Sequence, residues 1–107
     1  MSTPNSPSKD SEANPSKQDD PPEEWQIQLS TLKSQADDAF RKKDYSTAIQ
    51  HYTSCITLDP TNHILYSNRS AAYLSNKEKS RSLTDARKCV ELSPGFVKGY
   101  SRLAAAM

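Results

Sequence analysis

The sequence repeats itself at an interval of 34 residues. The tetrapeptide Thr57–Pro60 (Thr-Leu-Asp-Pro) matches Glu91–Pro94 (Glu-Leu-Ser-Pro) at this spacing. The same shift relates three further sets: Cys55 and Cys89; Ala36, Ser70 and Ala104; and Leu32, Tyr66 and Tyr100. A unit of this length cannot bury its own apolar face, so neighbouring units must stack to form one continuous core. The chain is therefore expected to fold as an array of stacked units.

Each unit carries the signals of two helices. Asp44 is a good N-cap in front of apolar residues at helical spacing, and Thr61 or Asn62 can cap the following helix. Pro22 stands at a helix start, followed by two acids in the first turn, where the helix dipole favours them. No segment alternates with the period of a strand. We expect helices near residues 23–42, 45–58, 62–75, 79–92 and 96–107.

The order of residue types within the unit is also distinctive. A large residue is followed four positions later by a small one, then by alanine, an aromatic residue and a closing proline. These residues are Leu32, Ala36, Ala48, Tyr52 and Pro60 in the first unit, and Tyr66, Ser70, Ser82, Ala86 and Pro94 in the second. From about residue 25 to residue 107 the chain resembles the tetratricopeptide-repeat (TPR) family. The resemblance implies an all-α solenoid of helical hairpins, with repeats at about 29–62 and 63–96 and the first helix of a third at 97–107.

Two features of the repeat predict how it packs. The small residues at the eighth position of each unit, Ala36, Ser70 and Ala104, are expected to lie where two helix axes approach closely. The second hairpin has lost apolar side chains that TPR units usually carry, since Lys79, Ser82 and Ala86 replace an aromatic residue, an alanine and another aromatic residue. Each replacement removes buried area worth roughly 1 to 3 kcal/mol, so this hairpin is predicted to be the less stable one.

The first 22 residues differ in composition from the remainder. They contain five of the seven prolines and only two clearly apolar side chains, Met1 and Ala13. Such a stretch cannot bury enough apolar surface to offset its loss of conformational entropy. We therefore interpret residues 1–22 as a disordered N-terminal arm and residues 23–107 as the folded domain.

Charge and hydropathy narrow the class of partner. Residues 23–107 carry 12 basic and 9 acidic side chains, an excess too small to favour nucleic acid but suited to an acidic peptide. No apolar run approaches the roughly 18 to 20 residues that cross a bilayer, and the N-terminus lacks a secretory signal, so no membrane partner is expected. The expected location is the cytoplasm, with the nucleus as an alternative.

Neither the cysteines nor the histidines indicate catalysis. Cys55 and Cys89 lack the spacing of metal ligands and are expected to be buried, reduced thiols. His51 and His63 are the only histidines, and the sequence has no Gly-rich phosphate loop or nucleophile elbow. The chain is therefore not expected to be an enzyme or to hold a metal or another cofactor.

Two segments carry a more specific resemblance. Leu65–Tyr73 (Leu-Tyr-Ser-Asn-Arg-Ser-Ala-Ala-Tyr) and Lys98–Arg102 (Lys-Gly-Tyr-Ser-Arg) resemble the N-terminal TPR domain of the cochaperone family of the heat-shock chaperone organising protein. In that family five side chains, called here the carboxylate clamp, hold the carboxylates of a Glu-Glu-Val-Asp tail. The resemblance implies a protein C-terminal peptide as ligand, with a heat-shock chaperone as partner. It assigns four clamp positions to Lys33, Asn68, Lys98 and Arg102.

The fifth clamp position departs from the family pattern. The family has asparagine there, whereas this chain has Asp37, which offers no donor and repels an anionic ligand. Asp37 can also pair with Lys33, one helical turn away. Two alternatives therefore stay open. The chain could be a TPR scaffold with a degenerate clamp that binds partners through apolar surfaces. It could also be the regulatory arm of a larger phosphatase, because residues 33–40 resemble the TPR arm of the chaperone-regulated Ser/Thr protein phosphatases.

Overall fold

The structure, a computed structural model, describes residues 22–107 as two helical hairpins followed by a fifth helix. Its described residues contain no strand, and each helix ends within one residue of the predicted bounds. The all-α hairpin fold is thus confirmed, whereas the predicted disordered arm lies, but for Pro22, outside the described residues. The helices are α1 (Glu24–Arg41), α2 (Tyr45–Leu58), α3 (His63–Ser75), α4 (Lys79–Leu92) and α5 (Val97–Ala106).

The helix starts follow from side chains that satisfy exposed backbone N–H groups. Helix α1 begins with a capping box, in which the Glu23 N–H donates to Gln26 Oε1 at 2.8 Å and the Glu23 side chain accepts from the Gln26 backbone. Asp44 caps α2 as predicted, accepting from the Thr47 N–H at 3.3 Å. Of the two residues proposed for α3, Asn62 is the cap, and its Oδ1 accepts from the Ile64 N–H at 3.0 Å.

The turn inside each hairpin repeats the same backbone geometry 34 residues apart. Lys43 and Lys77 both have a φ of 65°, in the left-handed region that favours glycine. The next residue in each turn then donates its N–H back to the helix just completed, Asp44 to Ala39 O and Glu78 to Tyr73 O, both at 2.8 Å. The sequence repeat is thus also a repeat of individual backbone contacts in the two turns.

Small side chains allow close packing in both hairpins. In the first, Ala36, Ala48 and Tyr52 form a buried cluster with Ala72 of the next hairpin. In the second, the equivalent positions are serines: Ser70 Oγ donates to Ser82 O and Ser82 Oγ donates to Ser70 O, each at 2.8 Å. These reciprocal hydrogen bonds satisfy two buried hydroxyl groups that would otherwise be costly.

Helix α5 packs on both α3 and α4. Gly99 makes the approach to α4 close, since a Cβ there would lie 3.1 Å from Cys89 Sγ. The expectation that Ala104 packs between helices is wrong, because Ala104 is exposed: no helix follows α5 in the described chain. Ala36 and Ser70, the equivalent residues of the two complete hairpins, are fully buried as predicted.

Candidate functional site

Four helices enclose a cavity of about 310 Å³. It brings together three residues that the sequence placed in one binding site: Asp37 of α1, Asn68 of α3 and Arg102 of α5. The site therefore spans both complete repeats and the third one, which is possible only when the units stack in order. The remaining lining residues are Phe40, Arg41, Tyr52 and Ala71.

The two predicted lysines lie beside this cavity and do not line it. Lys33 Nζ is 3.1 Å from Asp37 Oδ2, one helical turn along α1. Lys98 is exposed on α5, one turn before Arg102. Of the predicted residues, an aspartate, an amide and an arginine thus line the cavity, and each of the two lysines lies one helical turn from one of them.

Asp37 is held by two neighbours. Its Oδ1 accepts a hydrogen bond from the hydroxyl group of Tyr52, which is 3% exposed, and its Oδ2 accepts from Lys33. The pKa of Tyr52 is raised chiefly by burial, and to a smaller extent by the hydrogen bond to Asp37 and by the negative charge of Asp37. The positive charge of Arg102 acts in the opposite direction. Tyr52 therefore keeps its proton and stays a donor to Asp37, which fixes the carboxylate inside the cavity.

Arg102 is oriented by the neighbouring repeat. Its Nε donates to Ser67 Oγ at 3.3 Å, and Ser67 is 1% exposed on α3. One guanidinium edge is thus tied to a buried hydroxyl group, and the other N–H donors remain for a ligand. Burial raises the pKa of Cys89, and the positive charge of Arg102 acts against that shift.

Both cysteines are buried and free, as the sequence predicted. Burial raises the pKa of Cys55, with Lys33 acting in the opposite direction. A neutral thiol is a poor nucleophile and a poor metal ligand. Within residues 22–107 no group of three or more His, Cys, Asp or Glu side chains is arranged to hold a metal ion. The same part of the chain has no helix that is long and apolar enough to span a membrane.

Sequence reasoning missed four residues of the cavity. Tyr52 had only a packing role in the repeat pattern and Phe40 had no assigned role, yet both line the cavity. Arg41 continues the line of Lys33 and Asp37 along α1 at four-residue spacing, so extending the helical stripe by one turn would have found it. Ala71 follows Asn68 by three residues on the same face of α3 and could have been found in the same way.

A second depression is larger but has a different character. It has a volume of about 560 Å³ and is lined by α1 and α2 alone, chiefly by apolar atoms. None of the predicted clamp residues borders it. The lining residues are Ile27, Gln28, Thr31, Leu32, Ser54, Thr57 and Leu58.

Charged and polar groups dominate the lining of the cavity. Two guanidinium groups, an amide and one carboxylate line it, and Lys33 is paired with that carboxylate. Such a set suits the charge-assisted hydrogen bonds that carboxylates accept. Fold and cavity together define a helical-repeat module with a cavity that is shared by several repeats.

Comparison with known proteins identifies the kind of repeat. A family model described as "Serine/threonine-protein kinase BSK1-like, TPR repeats" matches residues 10–102. The chain belongs to the TPR-repeat family. This agrees with the hairpin architecture and with the 34-residue period.

Individual relatives confirm the resemblance to cochaperones and to the phosphatase arm. The chain is 55% identical over 76 residues to the heat shock protein sti1 homolog of Schizosaccharomyces pombe, a match that covers 71% of this chain and 13% of that protein. It is 44% identical over 88 residues to serine/threonine-protein phosphatase 5 of Rattus norvegicus, covering 81% of this chain and 18% of that protein. The chain thus spans less than a fifth of either relative.

A solved structure gives the same fold with a ligand bound. The first TPR of Spaghetti (RPAP3), bound to the HSP90 peptide SRMEEVD, superposes with a TM-score of 0.72 at 32% sequence identity. The match covers 75% of this chain and 64% of that chain. That neighbour binds the tail of a heat-shock chaperone, which is the ligand class that the resemblance implied for this chain.

Proposed function

We propose that this chain is a cochaperone-like adaptor module that binds the acidic C-terminal tail of a heat-shock chaperone. The observation that carries the proposal is the meeting of Asn68 and Arg102, from α3 and α5, in one cavity. These residues are 34 positions apart in the chain and share a cavity because the repeats stack. A cytoplasmic location accords with such a partner.

Each residue of the site has a distinct role in this proposal. Arg102 holds a ligand carboxylate with two parallel N–H donors, and Asn68 adds neutral amide donors. Lys98 and Lys33 act as point charges on either side. Charge-assisted hydrogen bonds are roughly twice as strong as neutral ones, so Arg102 is expected to contribute most.

Asp37 weakens this site. An asparagine would donate to the ligand, whereas Asp37 repels it and already holds Lys33 at 3.1 Å. Losing one hydrogen bond to a charged group costs about 1.5 to 3 kcal/mol, which corresponds to roughly 10- to 150-fold in affinity. The proposed module is therefore expected to bind such tails roughly 10- to 150-fold more weakly than it would with an asparagine at this position.

The test of this site is calorimetric titration of a peptide ending in Glu-Glu-Val-Asp into two variants. Arg102→Ala is expected to reduce affinity at least tenfold, because it removes the strongest carboxylate donor. Arg87→Ala is the matched control, since Arg87 is exposed on α4 and does not line the cavity. Equal affinities of the two variants would contradict the proposed site.

Two other functions have some support. Val97 of α5 is 77% exposed, and such apolar surface favours a scaffold that binds partners through this helix. In that case Arg102→Ala would leave partner binding intact. The identity of 44% with phosphatase 5 favours a regulatory arm, and a catalytic domain on the same gene product would distinguish it from an independent adaptor.

A further inference from the structure

We infer that Arg41 is a second specificity-determining arginine of the peptide site. It would bind an acidic side chain that precedes the C-terminal residue of the ligand. The inference rests on the proposed function and adds a residue that the clamp assignment does not include.

The first support is the position of Arg41. It is the last residue of α1 and lines the same cavity as Asn68 and Arg102. Lys33, Asp37 and Arg41 follow one another at intervals of four residues, so they form one stripe along α1. The stripe extends the charged surface of α1 one turn beyond Asp37 and stays within the lining of the cavity.

The second support is the charge of the stripe. Asp37 neutralises Lys33 through the contact at 3.1 Å, so the clamp lysine on α1 has lost much of its attraction for an anion. Arg41 is also paired, with Asp38, but unlike Lys33 it lines the cavity. The cation on α1 that faces the cavity is therefore Arg41, one turn past the carboxylate.

The third support is the way Arg41 is held. Its Nη2 contacts Asp38 Oδ1, one turn back on α1, and the side chain is 70% exposed. A guanidinium group carries five N–H donors, so the contact with Asp38 limits its motion and leaves donors for a ligand carboxylate. Asp38 thereby keeps the arginine beside the cavity.

The neighbours of Arg41 specify what else the ligand should present. Phe40 and Ala71 give the cavity an apolar wall next to the guanidinium group. The Phe40 ring is itself fixed by an edge contact with Tyr45, with ring centroids 5.4 Å apart. The subsite therefore fits an acidic residue adjacent to an apolar one, as in the Glu-Val step of the tail Glu-Glu-Val-Asp.

The experiment compares Arg41→Ala with Lys42→Ala, which removes the same charge from the neighbouring exposed position outside the cavity. Both variants and the unaltered chain are titrated with a peptide ending in Glu-Glu-Val-Asp and with peptides in which each Glu is replaced in turn by Gln. Arg41→Ala is expected to weaken binding of the acidic peptide about three- to tenfold, and Lys42→Ala less than twofold. With one of the Gln peptides, Arg41→Ala and the unaltered chain should bind equally well. Arg41→Lys should recover part of the affinity for the acidic peptide that Arg41→Ala loses.

The outcomes separate this inference from the proposed function. If the unaltered chain binds no peptide, both are overturned. If it binds but Arg41→Ala and Lys42→Ala behave alike, or if the loss is the same for every peptide, only the inference is overturned. If Arg41 only stabilised the end of α1, Arg41→Ala would lower the thermal midpoint, and its effect on binding would not depend on which Glu of the peptide is replaced. Melting curves of both variants therefore complete the test.

Discussion

Tyr52 and Asp37 join the two helices of the first hairpin, with the buried tyrosine hydroxyl donating to a carboxylate that lines the cavity shared by the repeats. The first prediction concerns that carboxylate. Asp37→Asn should increase affinity for a Glu-Glu-Val-Asp peptide about tenfold, because it removes a like charge, frees Lys33 and adds an amide donor. Stability should change by less than about 1 kcal/mol, since Asn Oδ1 still accepts from Tyr52 and the Lys33 pair is partly exposed.

Calorimetry and chemical denaturation of the same sample check this prediction. Glu91→Gln is the control, because it removes an exposed acid on α4 that does not line the cavity. A gain of similar size in both variants would mean that only the net charge of the domain matters.

The second prediction concerns the ion pair that joins the helices of the second hairpin. Arg69 Nε and Nη2 donate to the two carboxylate oxygens of Asp85 at 2.7 and 2.8 Å, and the side chain of Asp85 is 4% exposed. Asp85→Ala should cost about 3 to 5 kcal/mol of unfolding free energy, because it leaves a largely buried guanidinium group unpaired. Urea denaturation measures this cost. A loss below about 1 kcal/mol would show that water replaces the carboxylate.

The helix bounds and half of the site could be predicted from the sequence, and the reasons are local. Asp44 and Asn62 mark helix starts by themselves, and the 34-residue shift makes Asn68 and Arg102 meet in any stack of such units. The contact of Arg69 with Asp85 could not be predicted in this way, because 16 residues separate them and the contact depends on how α3 and α4 are rotated. The prediction that Ala104 is buried between helices was wrong, because its burial needs a helix after α5. The repeat pattern implied such a helix, but the described residues do not contain one.

The third prediction concerns alkaline pH. The pKa values of Tyr52, Cys55 and Cys89 are raised in the folded chain, in each case chiefly by burial. The ordinary values are 10.0 for the tyrosine and 9.0 for the thiols, so above about pH 9 the unfolded chain loses protons that the folded chain keeps. These three groups therefore make their full contribution to the free energy of unfolding below about pH 9, and that contribution should fall as the pH rises from 9 to 11.

Denaturant unfolding at pH 7, 9, 10 and 11, in the presence of a reductant, tests this dependence. Lysine side chains titrate in the same range, so Tyr52→Phe is the comparison that isolates the tyrosine. That variant should start less stable at pH 7 and lose less between pH 9 and 11. Parallel curves for both proteins would contradict the assignment to Tyr52.

The fourth prediction uses the left-handed turn residues. Lys77 has a φ of 65°, a conformation that is strained for a residue with a Cβ and free of strain for glycine. Lys77→Gly should therefore raise the unfolding free energy by about 0.5 to 1 kcal/mol, after allowing for the greater entropy of glycine in the unfolded chain. Thermal melting gives the sign directly. Lys88→Gly, inside α4, is the control and should lower stability by roughly 1 kcal/mol.

The last prediction concerns the terminal carboxylate of the proposed acidic tail. The unaltered chain is titrated by calorimetry with a peptide ending in Glu-Glu-Val-Asp and with the same peptide amidated at its C-terminus. The free acid is expected to bind, and amidation is expected to weaken binding at least tenfold. Equal affinity for both peptides, or no binding by a sample that circular dichroism shows to be helical, would contradict it.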